Sequence, residues 1–197
     1  MHSLDTGRAE SADLAMLLKV FGPDNTPLGW DAVHAFEAEH GIVLPEPYRS
    51  FVATVSDGSY AGPPDYGLME LGDLPPDWGA SRPERCLAKP FPLTAPWIWE
   101  DDELSAHEEE TLASVCDHGS LVLGTDGCGM YWHLIVTGES RGHIWLIADV
   151  GATPFGAEFG NTTGKSGFAG WVEHWAEGKE WWDATPESTA ALVGEQQ

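Results

Sequence analysis

The stretch His40-Gly-Ile-Val-Leu-Pro-Glu-Pro-Tyr-Arg-Ser-Phe-Val-Ala-Thr-Val-Ser-Asp-Gly58 decides the fold. Gly41 can stop the helix before it, Leu44 can pack over the next start, and Pro45 fixes φ where no amide partner is needed. A helix is therefore predicted from Pro45. Tyr48, Phe51, Val52 and Val55 fall at i, i+3, i+4 and i+7, one buried stripe, until Asp57-Gly58 closes the segment. The stretch reads as a helix-turn-helix entrance to a domain.

Working outward toward the N-terminus, a helix from about Asp31 to His40 is expected to present Val33, Phe36 and His40 inward. Before it, Ser11 can cap a helix in which Leu14, Leu17, Leu18 and Phe21 share a face, and Gly22-Pro23 ends it. In the other direction, Gly67-Leu-Met-Glu-Leu71 reads as a short strand. The chain then carries Pro75, Pro76, Pro83, Pro90, Pro92 and Pro96, too many for an uninterrupted helix or central strand. This segment is predicted to be an ordered surface excursion. Ser105 with Glu108 has capping-box spacing, so a helix should run through Leu112 and Val115 to His118-Gly119.

The final third alternates as strands do. Residues 120–124, 130–136 and 143–148 are β-rich runs separated by turn formers, which predicts two hairpins. In the middle run Tyr131, His133 and Ile135 share one face, and Trp132, Leu134 and Val136 the other. Ser166 can cap a last helix whose Phe168, Trp171, Val172 and Trp175 form another apolar stripe. The fold class is α+β: one domain over about 11–185, a curved, mostly antiparallel sheet with helices packed against it. A Pro-rich and acidic insert occupies about 72–118, and residues 1–10 and 186–197 are expected to be loose tails. No internal repeat is present.

The opening stretch, with Trp30 and Phe36-Glu37 before it and Tyr66-Gly-Leu-Met-Glu-Leu-Gly-Asp-Leu74 after it, resembles the SUKH superfamily. Leu121-Val-Leu-Gly-Thr-Asp-Gly-Cys-Gly129, then Gly142-His-Ile-Trp-Leu-Ile147 and a closing helix around Phe168, Trp171 and Trp175, follow in the family's order. The matching blocks run from about Trp30 to Trp175, with a poor match between Pro75 and His118. Met130 stands where relatives often place a polar or acidic residue, so nothing acidic carries over to that position. This is the fold of many bacterial toxin-immunity proteins and of fungal regulators of cell-wall synthesis. The resemblance implies a non-enzymatic protein-binding module, although fold transfers across such a family better than role does.

The charge narrows the partner. Nine Lys and Arg against 32 Asp and Glu in 197 residues leave a net −23, while 42% hydrophobic residues support a folded core. Direct binding to nucleic acid is disfavoured, because it depends on Lys and Arg displacing counterions from phosphates. Attraction to a basic protein is the natural alternative, though an acidic surface also serves solubility. Cys86, Cys116 and Cys128, odd in number and widely spaced, do not form a secreted protein's disulfide framework. The first twenty residues lack a basic start followed by an apolar core, and no apolar run is long enough to cross a bilayer. A cytoplasmic location without membrane association is expected.

The motifs that would carry chemistry fail on spacing. Gly160-Asn-Thr-Thr-Gly164-Lys-Ser166 has only three residues between its glycines, where a phosphate cradle needs four. Gly124-x-x-Gly127-x-Gly129 precedes a strand and no crossover helix, so it is a hairpin turn and not a dinucleotide fingerprint. Cys116, His118, Cys128 and His133 match no common zinc spacing. Ser59 follows Gly58 directly and misses the nucleophile elbow. No catalytic residue, cofactor or metal is therefore assigned.

One feature points to binding. Glu100, Asp101, Asp102 and Glu103 with Glu108, Glu109 and Glu110 place seven acids in eleven positions, directly after Trp97 and Trp99. A solvated helix start accounts for the acids alone. Aromatic anchors beside carboxylates also suit a basic partner, where Trp supplies contact area and charge speeds encounter. Trp181-Trp182 beside Glu180 and Asp183 is a second, weaker candidate of the same kind. The expected function is an acidic immunity protein that occludes a toxin, such as a nuclease with a basic surface. The alternatives are a regulatory scaffold of the cell-wall-regulator kind and, from another class, a small hydrolase or ligand binder using the Cys128 or His133 neighbourhood.

Overall fold

The computed structural model describes residues 10–23, 25–78, 85–99, 103–156 and 164–181. Among these residues five helices and five strands follow in the order α1 (Ser11–Phe21), α2 (Trp30–His40), α3 (Tyr48–Thr54), β1 (Trp97–Ile98), α4 (Ala106–Asp117), β2 (Ser120–Gly127), β3 (Met130–Ile135), β4 (Ile144–Ala148), β5 (Gly151–Phe155) and α5 (Gly167–Ala176). The strands form one open antiparallel sheet in the order β1-β5-β4-β3-β2. The expected α+β class is the observed one.

The two-residue period of β3 sorts the core into layers. Trp132 and Leu134 join Leu121 and Leu123 of β2 and Ile144 of β4 against Leu17, Phe51, Phe168 and Trp171 from α1, α3 and α5. On the opposite face, Ile135, Trp145, Ile147 and Ala152 pack under Phe91, Leu93, Trp99 and Val115. Tyr131 and Val122 extend that second layer beneath Trp78. The proline-rich segment was expected to be a surface excursion; its aromatic residues instead help form this second layer. A sheet with apolar side chains on both faces needs cover on both.

Arginines fasten the layers. Arg85 donates to the Cys116 carbonyl at 3.1 Å and to the Ser120 carbonyl at 2.7 Å, while its guanidinium lies over the Trp78 ring. Arg141, beyond β3, donates to the carbonyls of Val43 and Leu44 before α3. Arg49 of α3 binds both carboxylate oxygens of Glu37 in α2, at 2.7 and 2.9 Å.

Three local expectations need correction. Helix α3 begins at Tyr48 and not Pro45. Pro45 and Pro47 lack amide hydrogens, and a residue before proline, here Glu46, avoids the helical region. The carbonyls of Pro45 and Pro47 still accept from Arg49 and Phe51. The segment 67–71 is no strand: it makes one bridge, Ser59 to Leu68, and one bond from Met69 N–H to the Leu123 carbonyl. β2 shifts its register with β3 between Val122 and Gly124, and Pro64 and the Gly67 carbonyl press so closely on Gly124 that a Cβ would lie 2.6 Å from that oxygen. In α1, Glu10 and not Ser11 holds the cap position, and Leu18 is exposed.

Candidate functional site

The described part of the acidic segment leads into and opens α4, whose Val115 packs in the outer layer with Ile135, Trp145 and Ile147. The Ser105 capping box forms as expected: the hydroxyl accepts from Glu108 N–H, and a Glu108 carboxylate oxygen accepts from Ser105 N–H at 2.8 Å. The Ser105 hydroxyl and backbone bonds hold the Glu108 carboxyl below its ordinary range. Glu108 is thus engaged in the cap, whereas Glu103, Glu109 and Glu110 are simply exposed. Negative charge here also faces the positive end of the α4 dipole. Glu100, Asp101 and Asp102 lie outside the described residues.

Trp99 is placed differently from an exposed anchor. It is 8% exposed, its indole N–H donates to the Asp149 carbonyl at 2.6 Å, and its ring meets Trp97 edge-on at 5.1 Å. Trp97 is half-buried. Alternation along β1 turns the intervening Ile98 outward instead, 58% exposed, next to the exposed Val150 of the β4–β5 turn. Its side chain lies across Gly151, whose lack of a Cβ admits it. Sequence reasoning chose the larger residues, although period two makes the residue between two inward tryptophans the outward one.

Beneath α4 lies a cleft of about 310 Å³. Leu112, Ala113 and Cys116 of α4 line it together with Trp99, Tyr131 and Ile147, and Gly129 and Asp149 also border it. The Asp149 carboxylate rests on Gly129, where a Cβ would stand 2.9 Å from Oδ2. Glu109 precedes Leu112 and Ala113 by one helical turn and so shares their face. The result is an apolar trough with carboxylates at its margin. It suits a side chain with an aliphatic stem and a cationic tip.

The catalytic alternatives separate in space. Ser120 Oγ and His133 Nδ1 are 2.9 Å apart, the spacing of a nucleophile and base, but both residues are fully buried and Arg85 also donates to the same hydroxyl. A substrate cannot reach them, and they read as an internal tie between β2, β3 and the overlying layer. Cys128 is exposed in the β2–β3 turn with φ 52°, away from the buried His133. Among the described residues no group of His, Cys, Asp and Glu is arranged to hold a metal ion. No described helix is long and apolar enough to cross a membrane. Most of the candidate phosphate loop lies outside the described residues. Trp181 is part of the inner layer, stacked on Trp171 and His174, and Trp182 lies outside the described residues.

The chain belongs to the SMI1/KNR4 family (SUKH-1), whose model matches residues 27–163. The match spans α2 through β5, including the layer that carries the α4 cleft, and leaves out α1 and α5. The family covers toxin immunity proteins and cell-wall regulators, and its members bind protein partners such as toxins. Neither the search of curated proteins nor that of solved structures found a match.

Proposed function

We propose that this chain is a non-enzymatic immunity protein that neutralises a basic toxin, such as a nuclease, by covering its working surface. The observation that carries the reading is the carboxylate-margined trough between α4 and the sheet, set in a chain of net charge −23. Arg49, Arg85 and Arg141 are committed to internal bonds, which leaves these three cations unavailable to the acids around the trough. Glu103, Glu109, Glu110 and Asp149 would steer a basic surface in, and Ile98 and Val150 would supply the desolvated contact beside them. Glu100, Asp101 and Asp102 belong to the same run in sequence and would add their charge to the same partner. Trp97 and Trp99 support the contact from beneath, with only Trp97 partly accessible. Inhibition by occlusion requires no chemistry from the immunity protein. A cytoplasmic site of action agrees with the three widely spaced cysteines.

The test captures binding proteins from native extract at low and high salt, then assays the purified partner for nuclease or other toxic activity. Stoichiometric loss of that activity on adding this chain is expected. A partner that binds with undiminished activity would favour the regulatory-scaffold role.

A further inference from the structure

A second surface lies on the other side of the β2–β3 turn. Tyr60 and Tyr66 are the most outward large aromatic side chains among the described residues, at 104% and 74% exposure. They border a cleft of about 490 Å³ that is also lined by Asn25, Asp57, Glu70 and Asp73 and, among the described residues, by no Lys or Arg. The rim is held in place before any ligand arrives. Ser59 and Leu68 exchange backbone bonds of 2.8 and 2.7 Å, and the Tyr66 ring rests on Gly127, where an added Cβ would be 3.3 Å from it. Tyr60 stands on the ridge between this cleft and a smaller apolar one lined by Val20, Phe21 and Trp175.

Asp57, Glu70 and Asp73 bring three carboxyl groups to the lining of this one cleft. Asp57 accepts one bond from Leu71 N–H at 2.8 Å. Burial, with the charge of Asp73 adding to it, holds its carboxyl above the ordinary range despite that bond. Folding has therefore placed a carboxylate where its charged form is disfavoured, which a cation in the cleft would reverse. Two tyrosine faces at the entrance attract the same ligand, because a ring's quadrupole presents negative charge to a cation lying over it.

We propose that this cleft receives an arginine or lysine side chain of the basic partner, its stem along Tyr60 and Tyr66 and its charged end at Asp57, Glu70 and Asp73. The proposal rests on the basic-partner reading above and adds a second contact to it. Continuity supports one partner for both: the β2–β3 turn touches Tyr66 through Gly127 and Asp149 through Gly129. A protein covering the α4 trough across that turn reaches the tyrosine cleft.

The probe is N-acetyl-argininamide, titrated into the isotope-labelled full chain and followed by amide NMR shifts, with the uncharged citrulline analogue as control. Saturable shifts at Gly58, Gly67, Met69 and Glu70 are expected with the arginine probe and not with citrulline. Tyr66→Ala should weaken them roughly two- to five-fold, the range of an exposed cation–π contact. Asp57→Asn with Glu70→Gln should abolish saturation while leaving the spectrum dispersed. Shifts confined to Gly129 and Asp149 would overturn this proposal and leave the α4 surface standing. An equal response to citrulline, or no saturable shift at the four amides, also overturns it. Shifts at the tyrosine cleft alone would sustain it and remove the α4 trough from the interface.

Discussion

Trp99 and Asp149 are joined by an indole N–H to carbonyl bond of 2.6 Å, while the Asp149 carboxylate points the other way, onto Gly129 at the end of the trough. One residue thus anchors the outer layer through its backbone and offers charge through its side chain. The two roles can be separated. Trp99→Ala should cost about 3–5 kcal/mol in stability, as expected for emptying a buried aromatic site. Asp149→Asn keeps the carbonyl and should change stability by less than about 0.5 kcal/mol. Denaturant midpoints measure both, and an unchanged midpoint for Trp99→Ala would show that its ring is not part of the core.

Charge at the trough should act on encounter. Replacing Glu103, Glu109 and Glu110 with glutamine, together with Asp149→Asn, should slow association with the identified partner and flatten its salt dependence. Exposed charges more than about 8–10 Å apart are largely screened at physiological ionic strength, so the wild type should lose the more rate on adding salt. Ile98→Ala should act chiefly on dissociation. Stopped-flow rates across a salt series read all three, and identical slopes for wild type and variant would reduce the patch to a solvated surface.

Glu37 gives the fold an acid-sensitive joint. Burial pushes its carboxyl up, but the Arg49 bonds, the Leu44 N–H and the nearby positive charges outweigh this, and the net displacement is downward. A folded pKa below the unfolded one contributes stability that is complete above the ordinary carboxylate range, about 4.3 for Glu, and is lost as pH falls through the folded value. Glu37→Gln should therefore cost about 1.5–3 kcal/mol at neutral pH, the range for bonds to a charged group. The gap between wild type and variant should close on acidification, which urea midpoints from pH 7 to pH 3 would reveal.

Asp57 has the opposite sign. Its raised folded pKa means that the native state holds the proton longer than the unfolded chain, so this group lowers stability as pH rises through the interval between the two values. Asp57→Asn can retain the bond from Leu71 N–H and should raise the melting temperature at pH 7 relative to wild type, with a smaller gain at pH 3. A melting temperature that falls equally at both pH values would show that the carboxylate is a net support.

Phe51 and Gly127 test the two ends of the architecture. Phe51 is fully buried against Phe21 and Phe168, and Phe51→Ala should cost about 3–5 kcal/mol. Gly127 holds φ 81°, which a β-branched residue tolerates poorly, so Gly127→Val should destabilise through the backbone as well as displace Tyr66. Calorimetry on both variants checks the pair, and full stability of Gly127→Val would mean the turn takes another conformation.

Local spacing was enough for much of the fold. The stripe of Tyr48, Phe51, Val52 and Val55, the alternation of β3 and the Ser105–Glu108 cap each depend on residues within two helical turns or one strand, where backbone geometry alone dictates which side chains share a face. The family resemblance rested on the order of such blocks. Local spacing also made the acids after Trp99 visible, since charge is additive along a chain. Tertiary packing decided the rest. It put Phe91 and Leu93 of the proline-rich segment, and Trp99 after it, on the second face of the sheet, buried Glu37 against Arg49 twelve positions away, and turned Ile98 outward. It also built both clefts, whose walls come from segments far apart in the chain. No spacing rule reaches that far, because a contact between distant segments forms only when the rest of the core has set their separation and angle.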